Sequence, residues 1–426
     1  MKKSAKIIVS FCVVLVMLIG CALLISNLKG KAPETTNTTT KQNSTQEYAF
    51  YIDENGIKFN GDMTELQLIP DDLEKLVIPA SVEKIAVDAF KDNFSLSEIS
   101  VDSEFFEVDE FGVLYTKDKK ELICCPAKND KISEYTVFDG VEAIRAYAFN
   151  GSNYLKGIVI PDTVSSLGKG IFYRCSALID AELPLNITEI PESLFEMCYQ
   201  LEYIDIPDKV TVINDFAFSG CEQLKVLRIS DSLKKIGDCA FDSCWNLSKL
   251  ELPETLITIG DDAFNNAYSI SRVIIPASVE TIGKNAFNAC CYVTEFVVDE
   301  NNENYCSVDG ILFSKDMTEL IMMNMGVSRT TYNIPQGVEV ICSSSFYQYF
   351  GLESVILPDS VKTIGNAAFA MCKDLKKATL GKAVERIEDA AFFACQELES
   401  INITETIEYI SENAFEDCSK LAVNNH

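Results

Sequence analysis

The residues of this sequence best suited to chemistry are its cysteines and its single histidine. That histidine, His426, is the last residue, whereas hydrolytic triads, most general bases and many zinc sites need a histidine that the fold holds in place. The 16 cysteines include the adjacent pairs Cys124-Cys125 and Cys290-Cys291, but no pair has the CxxC spacing of a zinc site. The sequence also contains no P-loop and no GxGxxG motif. We therefore expect no catalytic residue, no cofactor and no metal, and we predict that the protein is not an enzyme.

Acidic side chains outnumber basic ones, with 64 Asp and Glu against 36 Lys and Arg and a net charge of −28. A chain of this charge repels phosphate backbones, so we expect no nucleic-acid partner. The charge favours solubility or, alternatively, attracts cations or a basic partner. Two acidic segments, Val108-Asp109 and Asp299–Glu303, carry oxygens that could chelate calcium, but they lack the glycine and the spacing of an EF-hand loop. We interpret both segments as acidic turns in solvent.

Half of the cysteines belong to a repeated sequence pattern, because eight of them stand three residues after a regularly spaced phenylalanine. Phenylalanines recur every 23 residues from Phe149 to Phe287 and again from Phe346 to Phe415, and Phe90 precedes Phe149 by 59 residues. A constant period of 20–50 residues indicates stacked repeats. The eight cysteines that share the position three residues after the phenylalanine are Cys175, Cys198, Cys221, Cys244, Cys290, Cys372, Cys395 and Cys418.

One repeat unit has the pattern LxxLxLPxxVxxIxxxAFxxC, as in the residues from Leu247 to Phe264. Its LxL segment alternates inward and outward side chains, as a short strand does, and the proline ends the strand because it has no N–H to donate. The AFxxC segment is typical of a single helical turn on the opposite wall. Twelve units and two further strand segments, at Leu96–Val101 and Val293–Val298, predict a β-rich solenoid whose one parallel sheet has about 14 short strands (12 + 2).

This repeat resembles the BspA-like leucine-rich repeats of bacterial and protozoan surface proteins, and the resemblance covers roughly residues 50–421. It implies a leucine-rich-repeat solenoid with 23-residue coils. It also implies attachment to host matrix proteins or to other microbes, which some members of the family show.

The eight repeated cysteines are expected to remain free thiols. Equivalent residues in stacked coils lie about 5 Å apart with parallel Cα–Cβ bonds, so the side chains point in the same direction and their Cβ atoms stay too far apart for a disulfide. We predict a buried ladder of thiols that pack as small hydrophobic side chains.

Each 59-residue gap equals one 23-residue unit plus 36 residues, and the additional stretch predicts a β-hairpin. Two apolar runs flank a Lys-Asp or Gly-Asp turn near residues 106–126 and 305–324, and also near residues 49–70, before the first unit. We expect these hairpins to lean off the solenoid, and the one near residues 49–70 to cap its N-terminal edge. No obvious cap follows Leu421, although terminal repeats usually need one.

The N-terminal residues 1–28 carry three lysines followed by 22 uncharged residues from Ile7 to Leu28. About 20 apolar residues span a bilayer as a helix, and preceding lysines keep that end in the cytoplasm, so we predict a membrane anchor with the rest of the chain outside. A cleaved signal peptide usually has a shorter apolar core. Alternatively, Leu18–Cys21 resembles a bacterial lipobox, in which Cys21 is lipidated after cleavage. Residues 29–47, rich in Thr, Asn and Ser, predict a disordered tether to the repeat domain at 48–426.

The outward positions of the predicted strands form one continuous face, where we expect a ligand to bind. Its mixture of charges with tyrosine and arginine is typical of protein-binding surfaces, although an ordinary solvated sheet is the other interpretation. The leading hypothesis is adhesion to, or recognition of, an unknown extracellular protein or glycan. The alternative is a structural role in the cell envelope, in which copies self-associate without a dedicated ligand. The expected binding residues are Asp180, Glu182, Tyr203, Asp205, Arg228, Lys249, Glu251 and Arg272.

Overall fold

In a computed structural model, which describes residues 50–421, the repeat units stack as successive coils of a solenoid. The predicted anchor at 1–28, the tether at 29–47, the lipidation candidate Cys21 and the terminal His426 lie outside the described residues. No helix within residues 50–421 is long and apolar enough to cross a membrane.

The LxL segments form short parallel strands that pair with their equivalents one coil away. In the strand Asp180–Glu182, for example, Ala181 is buried between two exposed carboxylates, and Asp180 is paired with Gly157, 23 residues earlier. With a single bridging residue at Lys249, these strands confirm the predicted number of about 14. This front sheet comprises Lys75–Ile78, Glu98–Val101, Glu134–Thr136, Gly157–Val159, Asp180–Glu182, Tyr203–Asp205, Val226–Arg228, Arg272–Ile275, Glu295–Val298, Thr331–Asn333, Ser354–Ile356, Lys377–Thr379 and Ser400–Ile401.

A second parallel ladder, which the sequence did not predict, forms around the isoleucine of the VxxI segment. The chain bends after the front strand and runs extended again, so that its carbonyl groups reach the next coil, as in the 2.8 Å bond from Gly237 N–H to the Ile213 carbonyl. The solenoid therefore has a second set of parallel strands, here called the side sheet, beside the front sheet, and each set is divided into several hydrogen-bonded groups. This side sheet comprises Lys84–Ile85, Ala143–Ile144, Ser166–Leu167, Glu189–Ile190, Val212–Ile213, Lys235–Ile236, Thr258–Ile259, Thr281–Ile282, Val340–Ile341, Thr363–Ile364, Arg386–Ile387 and Tyr409–Ile410.

The AFxxC segment is not helical, so the prediction of helical turns is wrong. Around Phe264, the residues two before and two after it, Asp262 and Asn266, have φ values of 53° and 58°, whereas a right-handed helical turn needs negative φ throughout. The N–H groups of these three residues donate to carbonyl groups one coil further on, at 2.8–2.9 Å. This back wall, defined as the five residues centred on each repeat phenylalanine, is therefore held by bonds between coils as well as by bonds within each coil, such as that from Asn265 N–H to the Asp262 carbonyl.

The repeat phenylalanines form the spine of the core. From Phe149 to Phe287 the neighbouring rings stack with centroids 5.2–5.6 Å apart, and these six gaps separate seven buried rings. A second stack runs from Phe346 to Phe415 with centroids 4.6–5.4 Å apart. The 23-residue period thus places each ring in contact with its equivalents on either side.

The ladder cysteines are hydrogen-bond donors as well as small apolar side chains. Each Sγ lies 3.0–3.3 Å from the carbonyl oxygen of the phenylalanine one coil back, as between Cys198 and Phe172. The 14 cysteines within residues 50–421 are all free. Burial raises the pKa of the Cys372 thiol to about 12 and also raises that of the five ladder thiols from Cys175 to Cys290, so the thiolate form of these six is disfavoured.

Each segment predicted as a hairpin contains three antiparallel strands. The last strand of each then pairs in parallel with the side sheet. The insertions therefore extend the side sheet, contrary to the prediction that they lean off the solenoid. Their strands are Phe50–Ile52, Lys58–Asn60 and Glu65–Leu68, then Phe106–Val108, Leu114–Thr116 and Glu121–Cys124, then Tyr305–Val308, Ile311–Ser314 and Glu319–Met322.

Candidate binding face

The candidate binding face is the outward side of the front sheet from Asp180 to Arg272. Along each strand the middle residue points into the core and its two neighbours point out, so Ile204 is buried between Tyr203 and Asp205. Pairing of Tyr203–Asp205 with Val226–Arg228 keeps these outward residues in register from coil to coil. The eight residues named from the sequence are all exposed on this side of the front sheet.

The basic residues of the face are neutralised by carboxylates close to them. Arg228 lies 2.9 Å from Asp208, and Lys249 lies 2.9 Å from Glu251. Arg272 lies 2.7 Å from Glu295, its partner in the neighbouring strand. These pairs are exposed, so each stabilises the fold by at most about 1 kcal/mol. They do, however, weaken the charge boundary that the sequence predicts across this face.

The acidic end of the face is different, because the carboxylates of Asp180 and Glu182 form no ion pair or hydrogen bond within residues 50–421. Exposed apolar side chains lie close to these carboxylates. Val159 is paired with Glu182 in the neighbouring strand, and Ile179 directly precedes Asp180 in the sequence. Leu185, three residues after Glu182, is 63% exposed. Sequence reasoning missed these three because it considered only the two positions beside each inward residue, from Asp180 onward. Unpaired carboxylates and accessible apolar area thus occur together at one end.

Tyr203 lies between these two regions and is 43% exposed. A hydrogen bond to Asp205 raises the pKa of the Tyr203 hydroxyl, and the negative charges of Asp205 and Asp180 act in the same direction. The Tyr203 hydroxyl therefore stays protonated at neutral pH, and the side chain remains partly accessible for contact.

No group of three or more His, Cys, Asp or Glu side chains that could hold a metal ion lies in the described part of the chain. The two acidic segments considered for calcium form turns. Asp109 accepts the N–H groups of Phe111 and Val113 at 2.9 and 2.8 Å, and Asp299 accepts that of Asn301 at 2.8 Å. One carboxylate oxygen of each aspartate is thus engaged by backbone N–H groups of its own turn.

A buried polar chain joins the insertion at 106–126 to the front sheet, and the sequence did not predict it. The hydroxyl groups of Tyr115 and Tyr135 lie 2.5 Å apart, and Tyr135 donates to Asp109 at 2.7 Å. Burial raises the pKa of both tyrosines. The two hydroxyls satisfy each other and one carboxylate, which indicates a structural role.

A second polar group missed by sequence reasoning lies on the back wall. Burial raises the pKa of Asp242. Burial, with the charge of Asp242 as the next cause, raises the pKa of Asp262 to about 6. Asn265 donates to Asp242 at 2.8 Å. Sequence reasoning did not bring these residues together because it interpreted the segment as one helical turn, in which their side chains would point in different directions.

Comparison with known proteins supports the repeat assignment. The sequence profile of the BspA type leucine-rich-repeat region matches the chain in six copies, over residues 70–136, 125–244, 188–309 and 323–425. No curated protein matches the chain.

Several solved structures share the fold. A leucine-rich cell surface protein from Faecalibacterium prausnitzii is 24% identical, with a TM-score of 0.58 over 90% of this chain and 94% of that one. A leucine-rich-repeat protein from Eubacterium ventriosum is 21% identical, with a TM-score of 0.53 over 74% and 83% of the two chains. One from Bacteroides ovatus is also 21% identical, with a TM-score of 0.50 over 89% and 81%.

The matched residues cover more than half of the chain, and the structure repeats with the same period of 23 residues that the phenylalanines mark. The resemblance inferred from the repeat pattern is confirmed by both comparisons. The chain belongs to the BspA-type leucine-rich-repeat family.

Proposed function

We propose that this protein is an extracellular, membrane-tethered adhesion or recognition protein that binds a protein or glycan through the binding face. The observation that carries the proposal is the combination of unpaired carboxylates at Asp180 and Glu182 with exposed apolar area and Tyr203 on neighbouring front-sheet strands. Aromatic and apolar side chains at the centre of a polar rim are typical of protein-binding surfaces. Stacked repeats also create extended surfaces of the kind that such proteins use for binding.

A location at the cell surface is supported by two observations. The uncharged residues 7–28 follow three lysines, a pattern typical of a segment that holds the chain in the membrane. The F. prausnitzii protein with the same fold is described as a cell surface protein. Both the predicted anchor and the alternative lipidation at Cys21 would leave the repeat domain outside the cell.

A role without catalysis fits the distribution of residue types. The repeated positions are occupied by Leu, Ile, Val, Phe and Cys side chains that pack against the next coil, and the single histidine is the terminal His426. The charged side chains of the binding face are paired with a neighbour or exposed without one, and neither arrangement activates a nucleophile.

Replacing Tyr203 with Ala tests the proposal. Binding of the purified full chain to panels of extracellular proteins and glycans would be measured first, then repeated with the variant. We expect about 5- to 30-fold weaker binding, because a tyrosine at the centre of an interface contributes about 1–2 kcal/mol or more. The free energy of unfolding should stay within about 0.5 kcal/mol of wild type, because an outward side chain supports no coil.

Tyr292→Ala is the matched control, since Tyr292 is also exposed but lies outside the front sheet. Binding that is equally unaffected by Tyr203→Ala and by Glu182→Lys would contradict the proposal and move the ligand elsewhere. A full chain that binds no panel member but assembles into higher oligomers as its concentration rises would favour the alternative, a structural role in the envelope.

A further inference from the structure

The side sheet is interrupted where the insertion at 106–126 enters the solenoid. One edge of the strand Lys84–Ile85 pairs with Glu65–Leu68, and its other edge has no strand partner within residues 50–421. The next group of side-sheet strands ends at Phe106–Val108, which pairs only with Leu114–Thr116. An unpaired strand edge presents N–H and carbonyl groups to any extended chain that reaches it.

Uninterrupted coils show which hydrogen bonds this edge lacks. There, the N–H groups of Lys234 and Lys235 donate to the Thr211 carbonyl at 2.8 and 3.2 Å, and Gly237 N–H donates to the Ile213 carbonyl at 2.8 Å. A side-sheet strand thus normally receives three N–H donors from the coil that follows it.

The corresponding acceptors in the first unit are the carbonyl groups of Glu83 and Ile85. Arg145 supplies one donor, because its Nη1 lies 2.7 Å from the Ile85 carbonyl oxygen while its Nη2 pairs with Glu121 at 2.7 Å. The Glu83 carbonyl and the Ile85 N–H have no hydrogen-bond partner among the described residues. The Arg145 side chain therefore takes the place of a neighbouring strand, but it bonds only the Ile85 carbonyl.

The second insertion offers an internal comparison. The side sheet is also interrupted after Thr281–Ile282, but there the Ile282 N–H donates to the hydroxyl of Tyr305 at 2.8 Å. The residue that corresponds to Tyr305 in the first insertion is Phe106, which has no hydroxyl. The Ile85 N–H is therefore left without an acceptor, whereas the equivalent N–H at the second interruption, that of Ile282, has one in Tyr305.

A cleft of about 670 Å³ lies beside the free edge. Its apolar surface includes Val87 and Phe105, which are 60% and 42% exposed. Two of its basic residues, Lys117 and Arg145, are paired with carboxylates outside the lining. The acidic side chains that line the cleft are Glu65, Glu83, Glu104 and Asp118.

We propose that this edge cleft binds an extended segment of another polypeptide, which adds a short parallel strand beside Lys84–Ile85. The segment donates two N–H groups to the Glu83 carbonyl, accepts the Ile85 N–H, and displaces Arg145 from the Ile85 carbonyl. Basic side chains suit the acidic lining, and an apolar side chain packs against Val87 and Phe105. This second surface is independent of the binding face on the front sheet.

The probe is a capped, fluorescent peptide with the sequence of residues Ser230–Asp238, SDSLKKIGD, which forms such a strand in its own coil. Fluorescence anisotropy with the full chain should show saturable binding that weakens as salt is raised. A peptide N-methylated at the amide of Lys235 should bind about three- to tenfold more weakly, because it lacks one backbone donor but keeps every charge.

Phe106→Tyr should weaken binding of the probe by a similar factor, about three- to tenfold, because the added hydroxyl accepts the Ile85 N–H as Tyr305 does at the second break. Phe111→Tyr is the matched control, since it adds a hydroxyl in the same insertion outside the cleft, and should leave binding unchanged. Thermal unfolding of both variants, equal to that of wild type, checks that they fold.

Three outcomes would overturn the proposal. The first is a peptide that does not bind, and the second is binding insensitive to both Phe106→Tyr and N-methylation, which would indicate charge attraction alone. The third is self-association of the full chain that Phe106→Tyr abolishes while the peptide stays unbound, which would make a second copy the occupant of the edge.

Discussion

At the scale of single residues, each side chain in this solenoid acts mainly through its equivalents one coil away. The aspartates at 215, 238 and 261 illustrate the pattern, because each accepts the backbone N–H of the residue 23 positions further on at 2.8–2.9 Å. The stacked phenylalanines follow the same rule, and each ladder cysteine thiol bonds to the phenylalanine carbonyl of the preceding coil. A substitution inside the stack therefore disturbs two neighbouring coils at once, as expected for a fold whose repeats contact only their neighbours.

Phe264→Ala should lower the free energy of unfolding by about 3–5 kcal/mol, because it removes a buried ring and leaves a cavity. The ring stacks between Phe241 and Phe287, with centroids at 5.3 and 5.5 Å. Chemical denaturation measures the change. Phe350→Ala serves as the control, since this phenylalanine is exposed and should change stability by less than about 0.5 kcal/mol. A loss below about 1 kcal/mol for Phe264→Ala would contradict its role in the core spine.

Asp262→Asn should stabilise the protein at neutral pH. Burial and the charge of Asp242 raise the pKa of the Asp262 carboxyl to about 6, so the folded state holds this proton more tightly than the unfolded chain does. The resulting stability is fully present below about pH 4 and is lost as pH rises through 6. Because asparagine does not ionise, the variant should be more stable by about 1 kcal/mol at pH 7, after allowance for solvent screening of this part-exposed group.

Urea denaturation of wild type and Asp262→Asn between pH 4 and pH 8 would measure this difference. The two free energies of unfolding should converge towards pH 4, where the aspartate is protonated in both states. A difference of the same size at every pH would show that packing or hydrogen bonding, rather than the carboxyl's charge, separates the variants.

At the scale of elements, the back wall joins successive coils by backbone bonds, and the cysteine ladder reinforces it. Around Phe241, the left-handed residues are Cys239 and Ser243, and the N–H groups of these three residues donate to the next coil. The phenylalanine carbonyl accepts a thiol as well as a backbone N–H. The Cys244 N–H, for example, donates to the Phe241 carbonyl of its own coil, and the Cys244 thiol donates to Phe218 of the preceding one. Reduced cysteine thus has a function here that a disulfide would remove.

The buried ladder thiols should resist alkylation in the native protein and react fully in denaturant. Burial raises their pKa, and only the thiolate reacts rapidly. Among the partly exposed cysteines, Cys418 has a pKa lowered by its hydrogen bond with Cys395, so Cys418 and Cys306 should be labelled first, which makes them internal controls. Iodoacetamide labelling followed by peptide mass spectrometry measures each site. A Cys198–Cys221 disulfide in protein isolated from its native host would end this interpretation.

At the scale of the whole described molecule, the insertions divide the hydrophobic core and also join its parts. In the first internal insertion, Leu114 packs in the cluster nearer the N-terminus and Tyr115 in the central one. In the second, Leu312 packs in the central cluster and Ile311 in the one nearer the C-terminus. Adjacent residues of one strand point to opposite faces, so each insertion acts as a shared wall between two stretches of stacked coils.

The attachment of the whole chain is predicted to be an uncleaved membrane anchor. Protein extracted from its host membrane should then retain residues 1–28, because an apolar stretch of this length spans the bilayer as a helix. Intact-mass measurement distinguishes this from the alternative, in which the chain begins at a lipidated Cys21. Cys21→Ser is the discriminating variant: it should change the intact mass only by the substitution for an anchor, whereas for a lipoprotein it should abolish both the lipid and the cleavage before residue 21.

The sequence alone was sufficient for the coil length, the front-sheet strands and the core positions. These features depend on inward side chains such as Ile204 and Phe264, which meet the same residue type one coil away, so the packing is encoded by the period itself. The front sheet and the family assignment could therefore be predicted, and so could the strand positions that form the candidate binding face.

Only the tertiary structure decided the features that depend on residues outside the repeat consensus. Arg174 and Met197 adopt φ values of 61° and 62°, which cost energy in an isolated chain and are compensated by hydrogen bonds between stacked coils. The pairing of Arg228 with Asp208 and of Arg145 with the Ile85 carbonyl likewise joins residues 20 and 60 positions apart. Contacts between residues so far apart in the sequence form only when the coils stack. The period in the sequence specifies which side chains pack inward, but it does not specify which outward side chains pair or which residues adopt a left-handed backbone.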